Sequence, residues 1–288
     1  MLKNGIMTGK VVLVTGATNG IGQITARSLA AMGAAVVVHG RDPQRTSASV
    51  QLIRSQTGSE QVDGLVADLS SQSQIRKMAE DFRARYDQLD VLVNNAGAII
   101  MKREESVDGI EMTFALNHLN YFLLTHLLLD MLKAAPAARI VNVSSEAHRG
   151  ARLNFTDLEN KQGYTSWIAY GQSKLANIYF TYQLSASLEN SRVTANVLHP
   201  GFVATNFGRS NGGIFSPLFK LFQLGAITPE EGAQTSIFLA SSPEAEGVTG
   251  KYFVKSKAVK SSAVSYDQSA ARKLWEASLV MTGLTVKA

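Results

Sequence analysis

Tyr170 and Lys174 stand four residues apart in the run YGQSK, inside a stretch whose apolar spacing predicts a helix over 167–189. Positions i and i+4 share one helical face, so the ammonium sits beside the phenol. A free phenol titrates near ~10, and at neutral pH only about one in a thousand is ionised. A neighbouring positive charge that lowered this by ~2 to 3 pH units, worth ~3 to 4 kcal/mol, would make the tyrosine a usable general acid and base. Taken alone, Tyr-x-x-x-Lys is a common surface pair. Here it shares the chain with Ser145, closing the strand-like run VNVSS, with Asn117 inside a long apolar stretch, and with Asn94, Asn95, Ala96 and Gly97 after another strand-like run.

A second kind of chemistry is marked at 11–22, VVLVTGATNGIG. The β-branched run at 11–14 is too short for a helix and reads as a strand buried on both faces. Gly16, Gly20 and Gly22 follow, and then a helical pattern that ends near Gly33. Gly16 permits a tight turn, Gly20 bares the backbone where a phosphate approaches, and Gly22 lets helix and strand pack closely. The spacing is G-x-x-x-G-x-G, whereas the dinucleotide fingerprint in its usual form is G-x-G-x-x-G. An anion at the helix N-terminus is the expected guest.

The elements that must position these residues alternate. Strands are expected at 35–39, 62–66, 90–94, 139–143, 193–198 and 251–254, and helices at 43–56, 72–86, 108–134, 167–189, 229–240 and 267–282. Such alternation calls for an α/β fold: a single doubly wound, Rossmann-type parallel sheet with helices on both faces, spanning 1–288 as one domain. Ligands then bind beyond the C-terminal ends of the strands. After the second strand stand Gly40, Arg41 and Asp42. An acid about 20 residues past the glycine turn would take the ribose 2′-OH of NAD, and the position falls on Gly40, with Arg41 next to it suited to a 2′-phosphate. A shift of two residues would instead make Asp42 the ribose ligand. Asp68 and Leu69 follow the third strand.

Composition excludes several classes. Without cysteine there is no disulfide and no thiol catalysis, and the net charge of +5 is spread without a basic block, so nucleic acid is not an expected partner. No window offers ~18 uncharged apolar residues for a membrane span, and residues 1–10 do not form a signal peptide, so a cytoplasmic protein without a transmembrane segment is expected. The five histidines, at 39, 118, 126, 148 and 199, lack metal-binding spacing and read as packing or loop residues; no metal is expected. Trp167 and Tyr164 either border a cleft or pack at the helix start. The segment 202–225 is strongly apolar, with Phe202, Phe215, Leu218, Phe219 and Phe222, yet is broken by glycines and Pro217. It is expected to close over a substrate as a lid, with a core cap, or a contact with a partner subunit or a membrane surface, as the alternative.

Taken in their order, these motifs resemble the short-chain dehydrogenase/reductase family over nearly the whole chain. The second half, in NHLNYFLLTHLLLDML, RIVNVSSEAH, YGQSKLANI, LHPGFVATNF and VTGKYF, is similar to its retinol dehydrogenase and WW-domain oxidoreductase branch, whose members commonly use NADP(H). The resemblance implies that Tyr170 is the acid/base and that Lys174 binds the nicotinamide ribose and depresses the tyrosine. It makes Ser145 the donor to the substrate oxygen and Asn117 a proton-relay anchor. It places the cofactor pyrophosphate on Gly16, Thr18, Asn19, Gly20, Ile21 and Gly22, the adenine at Asp68 and Leu69, and the cleft wall at Asn95, Ala96 and Gly97. Pro200, Gly201, Val203 and Thr205 match the nicotinamide loop. The N-terminal membrane anchor of many retinol dehydrogenases is not expected, and Asn19 stands where NADP-preferring relatives often carry a basic residue, so Arg41 carries the cofactor assignment. The expected activity is hydride transfer between NADP(H), with NAD(H) as the alternative, and an apolar alcohol, aldehyde or ketone. A non-catalytic nucleotide-binding or scaffold protein on the same fold is the competing class. In the family, helices like 108–134 and 167–189 often form a dimer face, and a homo-oligomer is expected.

Overall fold

In the computed structural model, which describes residues 5–202 and 227–285, the β-branched runs become strands: β1 Val11–Val14, β2 Ala35–Gly40, β3 Val62–Val66, β4 Val91–Asn94, β5 Arg139–Val143, β6 Thr194–Leu198 and β7 Tyr252–Val254. An eighth, β8 Lys257–Val259, turns back antiparallel to β7 through Lys255 and Ser256, both at positive φ as a tight hairpin requires. The sheet order is β3-β2-β1-β4-β5-β6-β7-β8, and β1 to β7 are all parallel to one another. β1 lies between β2 and β4, which makes its C-terminal end the point where the strand order reverses. A ligand crevice is expected there.

The crossover helices are α1 Gly20–Ala31, α2 Pro43–Thr57 and α3 Gln72–Arg83, and beyond the fifth strand α7 Ser166–Ser187. Further on are α8 Pro229–Ser241 and α9 Gln268–Thr282. Strand residues alternate between two apolar layers. Val12, Val14, Val36 and Val38 meet Ala26 and Leu29 of α1 and Ala233 and Ile237 of α8, whereas Leu13, Val37 and Leu92 meet α3 through Ile75 and Phe82 and α7 through Phe180 and Leu184. With both faces covered, the sheet's inner strands are continuous apolar runs.

The helix expected over 108–134 is interrupted. It begins as a short turn, α4 Met112–Phe114, because the buried Glu111 carboxylate accepts the amides of Thr113 (2.7 Å) and Phe114 (2.8 Å). Burial raises the Glu111 pKa and these two bonds oppose the rise. A π-helical turn over Ala115–Leu119 follows, then α5 Asn120–Leu127 and α6 Leu129–Ala134. The π turn carries Asn117, and such turns concentrate at functional sites.

Part of the apolar surface of α5 and α7 is covered from within the chain by α9. Trp275 meets Phe122 edge-on at 5.1 Å and stacks on Phe180 at 6.0 Å, while Leu274 and Ala271 join Leu175 and Tyr179 in one cluster. Ser278 Oγ bonds His118 Nε2 at 2.9 Å. Among the described residues no helix is long and apolar enough to cross a membrane.

Candidate active site

The glycine turn closes over the end of β1 as a bare backbone cradle. Gly16 and Gly20 have φ of +64° and +52°, which suit glycine, and a Cβ on Gly22 would lie 2.4 Å from the Gly16 carbonyl oxygen and 2.5 Å from Asn95 Nδ2. Helices α2, α8 and α9 all begin with a side-chain cap, from Asp42, Thr228 and Asp267. α1, like α3 and α7, begins without one: the Asn19 side chain makes no capping bond, and its first turn, which alone of these follows the glycine cradle, holds no acid. The first amides of α1 are thereby left to an external anion, and the residues present fit a dinucleotide's pyrophosphate. Thr18 and Ile21 flank the turn, with Ile21 packed into the layer that holds α1.

Asn95 ties this cradle to the next strand end. Its Nδ2 donates to the Thr15 (2.8 Å) and Gly16 (3.2 Å) carbonyls, and Thr15 Oγ1 accepts the amides of Asn95 (2.8 Å) and Ala96 (3.1 Å). Gly97 comes next, where a Cβ would stand 3.0 Å from Asn117 Oδ1 and 3.3 Å from Lys174 Nζ. A side chain there would fill the gap between the glycine turn and the catalytic candidates.

At the end of β2, Gly40 is enclosed. A Cβ would meet Thr18 Cγ2 at 2.3 Å and Thr46 Oγ1 at 2.4 Å, so no acidic side chain can be accommodated at that position. Asp42, the alternative ribose ligand, caps α2 by accepting the Arg45 amide at 2.8 Å. Arg41 is exposed and forms no ion pair with a described residue. Asp68 shapes its own turn, accepting the Ser70 amide (2.9 Å) and hydroxyl (2.7 Å), with Leu69 buried beside it.

Tyr170, Lys174, Ser145 and Asn117 come together where β4 and β5 end. Lys174 and Asn117 are buried, Tyr170 is 7% exposed, and Lys174 Nζ donates to the Val143 carbonyl at 3.2 Å. The same ammonium lies 5.6 Å from the Tyr170 ring centroid and 5.8 Å from that of Tyr121, within cation–π range of both. Ser145 hydrogen-bonds the Tyr170 side chain. Asn117 pins the strand-end loop: its Oδ1 accepts the Ala98 amide at 2.8 Å, and its Nδ2 donates to the Ala98 carbonyl at 2.9 Å and to Ser173 Oγ at 3.0 Å. Its own carbonyl accepts from Asn177 Nδ2 at 2.9 Å.

Burial dominates: it pushes Tyr170 up to about 12, against the bond from Ser145, and pushes Lys174 down to about 7. Each charged form loses hydration that the Val143 carbonyl, the two aromatic faces and the Ser145 hydroxyl replace only in part. The phenol is therefore held protonated, ready to give a proton, and the ammonium is poised to lose one near neutrality.

Two histidines do more than pack. His39 accepts the Gly16 amide on Nδ1 (3.1 Å), so its Nε2 carries the proton and donates to the Ala67 carbonyl (3.0 Å), joining the glycine turn to the end of β3. Burial lowers its pKa to about 4, which keeps the ring neutral. His199 accepts the Gly201 amide on Nδ1 at 2.9 Å and meets Glu146 at 3.3 Å through Nε2, linking the Pro200–Gly201 turn to the residue after Ser145. Tyr164 donates to the Ile100 carbonyl at 2.7 Å and thereby holds the loop after β4. Trp167, 56% exposed, is not packed at the helix start; its ring lies edge-on to Tyr170 at 6.4 Å. Val203, Thr205 and the expected lid beyond Phe202 lie outside the described residues.

A bare turn for a pyrophosphate at the strand reversal, with a buried tyrosine, lysine and serine gathered at the adjoining strand ends, is the scaffold of a nicotinamide-linked oxidoreductase. The chain belongs to the short chain dehydrogenase family, whose model matches residues 10–212. Within that family it is of the retinol dehydrogenase-like branch: it is 43% identical to "Retinol dehydrogenase 14" of Mus musculus over 293 residues, covering 97% of this chain and 88% of the relative. Among solved structures, an uncharacterized protein from Mycobacterium Paratuberculosis superposes with a TM-score of 0.80 at 30% identity, covering 98% of this chain and 96% of that one. A short chain dehydrogenase from Shigella flexneri 2a complexed with NADP gives 0.70 at 25% identity, over 88% of this chain and 100% of that one.

Proposed function

We propose that the chain is an NADP(H)-dependent enzyme that interconverts an apolar alcohol and its aldehyde or ketone. The observation that carries the proposal is the Ser145–Tyr170–Lys174 group at the mouth of the glycine-turn cleft. Bound nicotinamide supplies or accepts the hydride at the carbonyl carbon. Ser145 donates a hydrogen bond to the substrate oxygen, and Tyr170 gives that oxygen a proton in reduction or takes one in oxidation. Lys174 steadies the phenol and holds the nicotinamide ribose, while Asn117 fixes the loop at 95–98 that walls the cleft.

The preference for NADP(H) rests on the end of β2. Gly40 cannot be replaced there by the acid that an NAD ribose favours, the Asp42 carboxylate is engaged in capping α2, and the Arg41 guanidinium, unpaired among the described residues, suits a 2′-phosphate. The NADP complex of the Shigella relative agrees with this. An apolar substrate is supported by the exposed Trp167, Ile168 and Met101 near the strand ends and by the retinol dehydrogenase name of the Mus musculus relative. The test follows oxidation of NADPH and of NADH with retinal and a series of straight-chain aldehydes. NADPH is expected to be preferred, and kcat/KM to rise with chain length by up to ~0.8 kcal/mol per methylene buried. Nucleotide binding with no carbonyl turnover, or a preference for NADH, would overturn the respective half of the proposal.

A further inference from the structure

Ser145 begins a short 3-10 turn, Glu146–Gly150, and caps it: its Oγ accepts from Ala147 N at 3.2 Å. The direction of that hydroxyl is therefore tied to the turn. The turn itself is anchored by His148, which is fully buried and takes no part in the proton transfer described above. His148 Nε2 accepts the Ser262 amide at 3.1 Å, which leaves the ring proton on Nδ1 and makes Nδ1 the donor to the Ser145 carbonyl at 2.7 Å. One neutral tautomer satisfies both partners.

The far end of this bridge returns to the catalytic helix. Ser262 precedes a 3-10 turn, Ala263–Tyr266, which Tyr179 of α7 holds by donating to the Val264 carbonyl at 2.8 Å. Tyr182 of α7 shares a hydrogen bond of 2.7 Å with the Ser261 hydroxyl. On the near side, Gly171 lets α7 approach the Ser145 turn, since a Cβ there would stand 3.0 Å from the Ala147 carbonyl. Ser145 is thus clamped between two attachments to the helix that carries Tyr170 and Lys174.

We propose that His148 is a positioning residue: its neutral Nδ1–H tautomer fixes the Ser145 turn against α7, through the segment at 261–266, at the spacing from Tyr170 that the reaction needs. The ring is packed on Tyr252 at 5.0 Å. Of the charged groups around it, Glu146 favours its protonation while Arg149 and His199 oppose it, and burial outweighs them all, so the pKa is lowered. Protonation would remove the acceptor for the Ser262 amide and open the bridge. The turnover half of this inference rests on the proposed activity; the bridge does not.

Two measurements keep these apart. Hydrogen exchange of the full chain, wild type against His148→Phe, is expected to show faster exchange at 145–150 and 261–266 together, with the sheet unchanged. Protection at 145–150 that survives the substitution overturns the bridge whatever the activity. In steady-state reduction of a straight-chain aldehyde by NADPH, His148→Phe is expected to lower kcat on the order of 10- to 100-fold, as a misplacement near 1 Å does, with KM for NADPH unchanged. His148→Asn, whose Nδ2 can reach the Ser145 carbonyl but whose side chain is too short to accept the Ser262 amide as well, is expected to keep most of the kcat defect, again with KM for NADPH unchanged. Equal kcat in wild type and His148→Phe, or wild-type kcat in His148→Asn, would overturn the positioning role. Should wild type turn over no carbonyl at all, the activity proposal fails and exchange decides the bridge.

Discussion

Replacing Lys174 with methionine should abolish turnover and at the same time make the protein more stable near neutral pH. Lys174 is 2% exposed, and burial lowers its pKa from the ordinary 10.5 to about 7. Because the folded value lies below the unfolded one, the unfolded chain holds the extra proton between pH 7 and 10.5, and stability rises with pH across that window. The penalty is at full size below pH 7 and gone above 10.5. At ~1.4 kcal/mol per pH unit, the full penalty is roughly 4 to 5 kcal/mol. Methionine has similar volume and no charge, so Lys174→Met removes this cost. The variant forfeits the bond to the Val143 carbonyl, worth about 1 kcal/mol, but that oxygen still accepts from Asn177 Nδ2 and Tyr121 Oη, both at 3.4 Å. The net gain expected at pH 6 to 7 is about 2 to 4 kcal/mol. Urea unfolding of both proteins at several pH values between 6 and 9.5, in parallel with NADPH oxidation, measures it. The gain should shrink as pH rises. A variant no more stable than wild type at pH 6, or a gain that does not change with pH, would refute the reasoning.

Tyr170→Phe should eliminate turnover while NADPH binding, followed by nucleotide fluorescence, stays within about twofold, since one hydroxyl is lost and the ring's packing remains. Appreciable remaining turnover would remove Tyr170 from the proton transfer. Arg41→Asp should shift the ratio of NADPH to NADH efficiency toward NADH, whereas Asp42→Ala should cost about 1 kcal/mol of stability through the lost α2 cap and leave that ratio alone. A ratio that follows Asp42 instead would make the cap a ribose ligand after all. Sedimentation at micromolar concentration is expected to show no self-association through α5 and α7, because Trp275 and Leu274 already cover that surface; a dimer that Trp275→Lys disrupts would contradict this.

The sheet was legible because its signals are local. Val11–Val14 and its glycine turn, the strand ends at Asn94 and Ser145, and the i, i+4 pair of Tyr170 and Lys174 are each contained in a few consecutive residues. What could not be read depends on partners distant in the chain. His39 serves the glycine turn across 23 residues, and His148 reaches Ser262 across 114, so neither differs in sequence from a packing histidine. β8 was missed because its exposed Lys257, Ala258 and Val259 carry no apolar alternation, and its hairpin depends on Lys255 and Ser256 adopting positive φ. The π turn at 115–119 was invisible for a related reason: FALNHL has the composition of a helix, and only the packing of Asn117 onto Ala98 and of His118 between Asn177 and Ser278 gives the extra residue per turn a purpose. That bulge also bears on the site's electrostatics. It places the Asn117 carbonyl on Asn177, one helical turn beyond Lys174, and Asn177 shares the Val143 carbonyl with the lysine. The strand end, the bulged helix and α7 are thereby joined at one oxygen atom, and the buried ammonium, costly as it is, is held where all three meet.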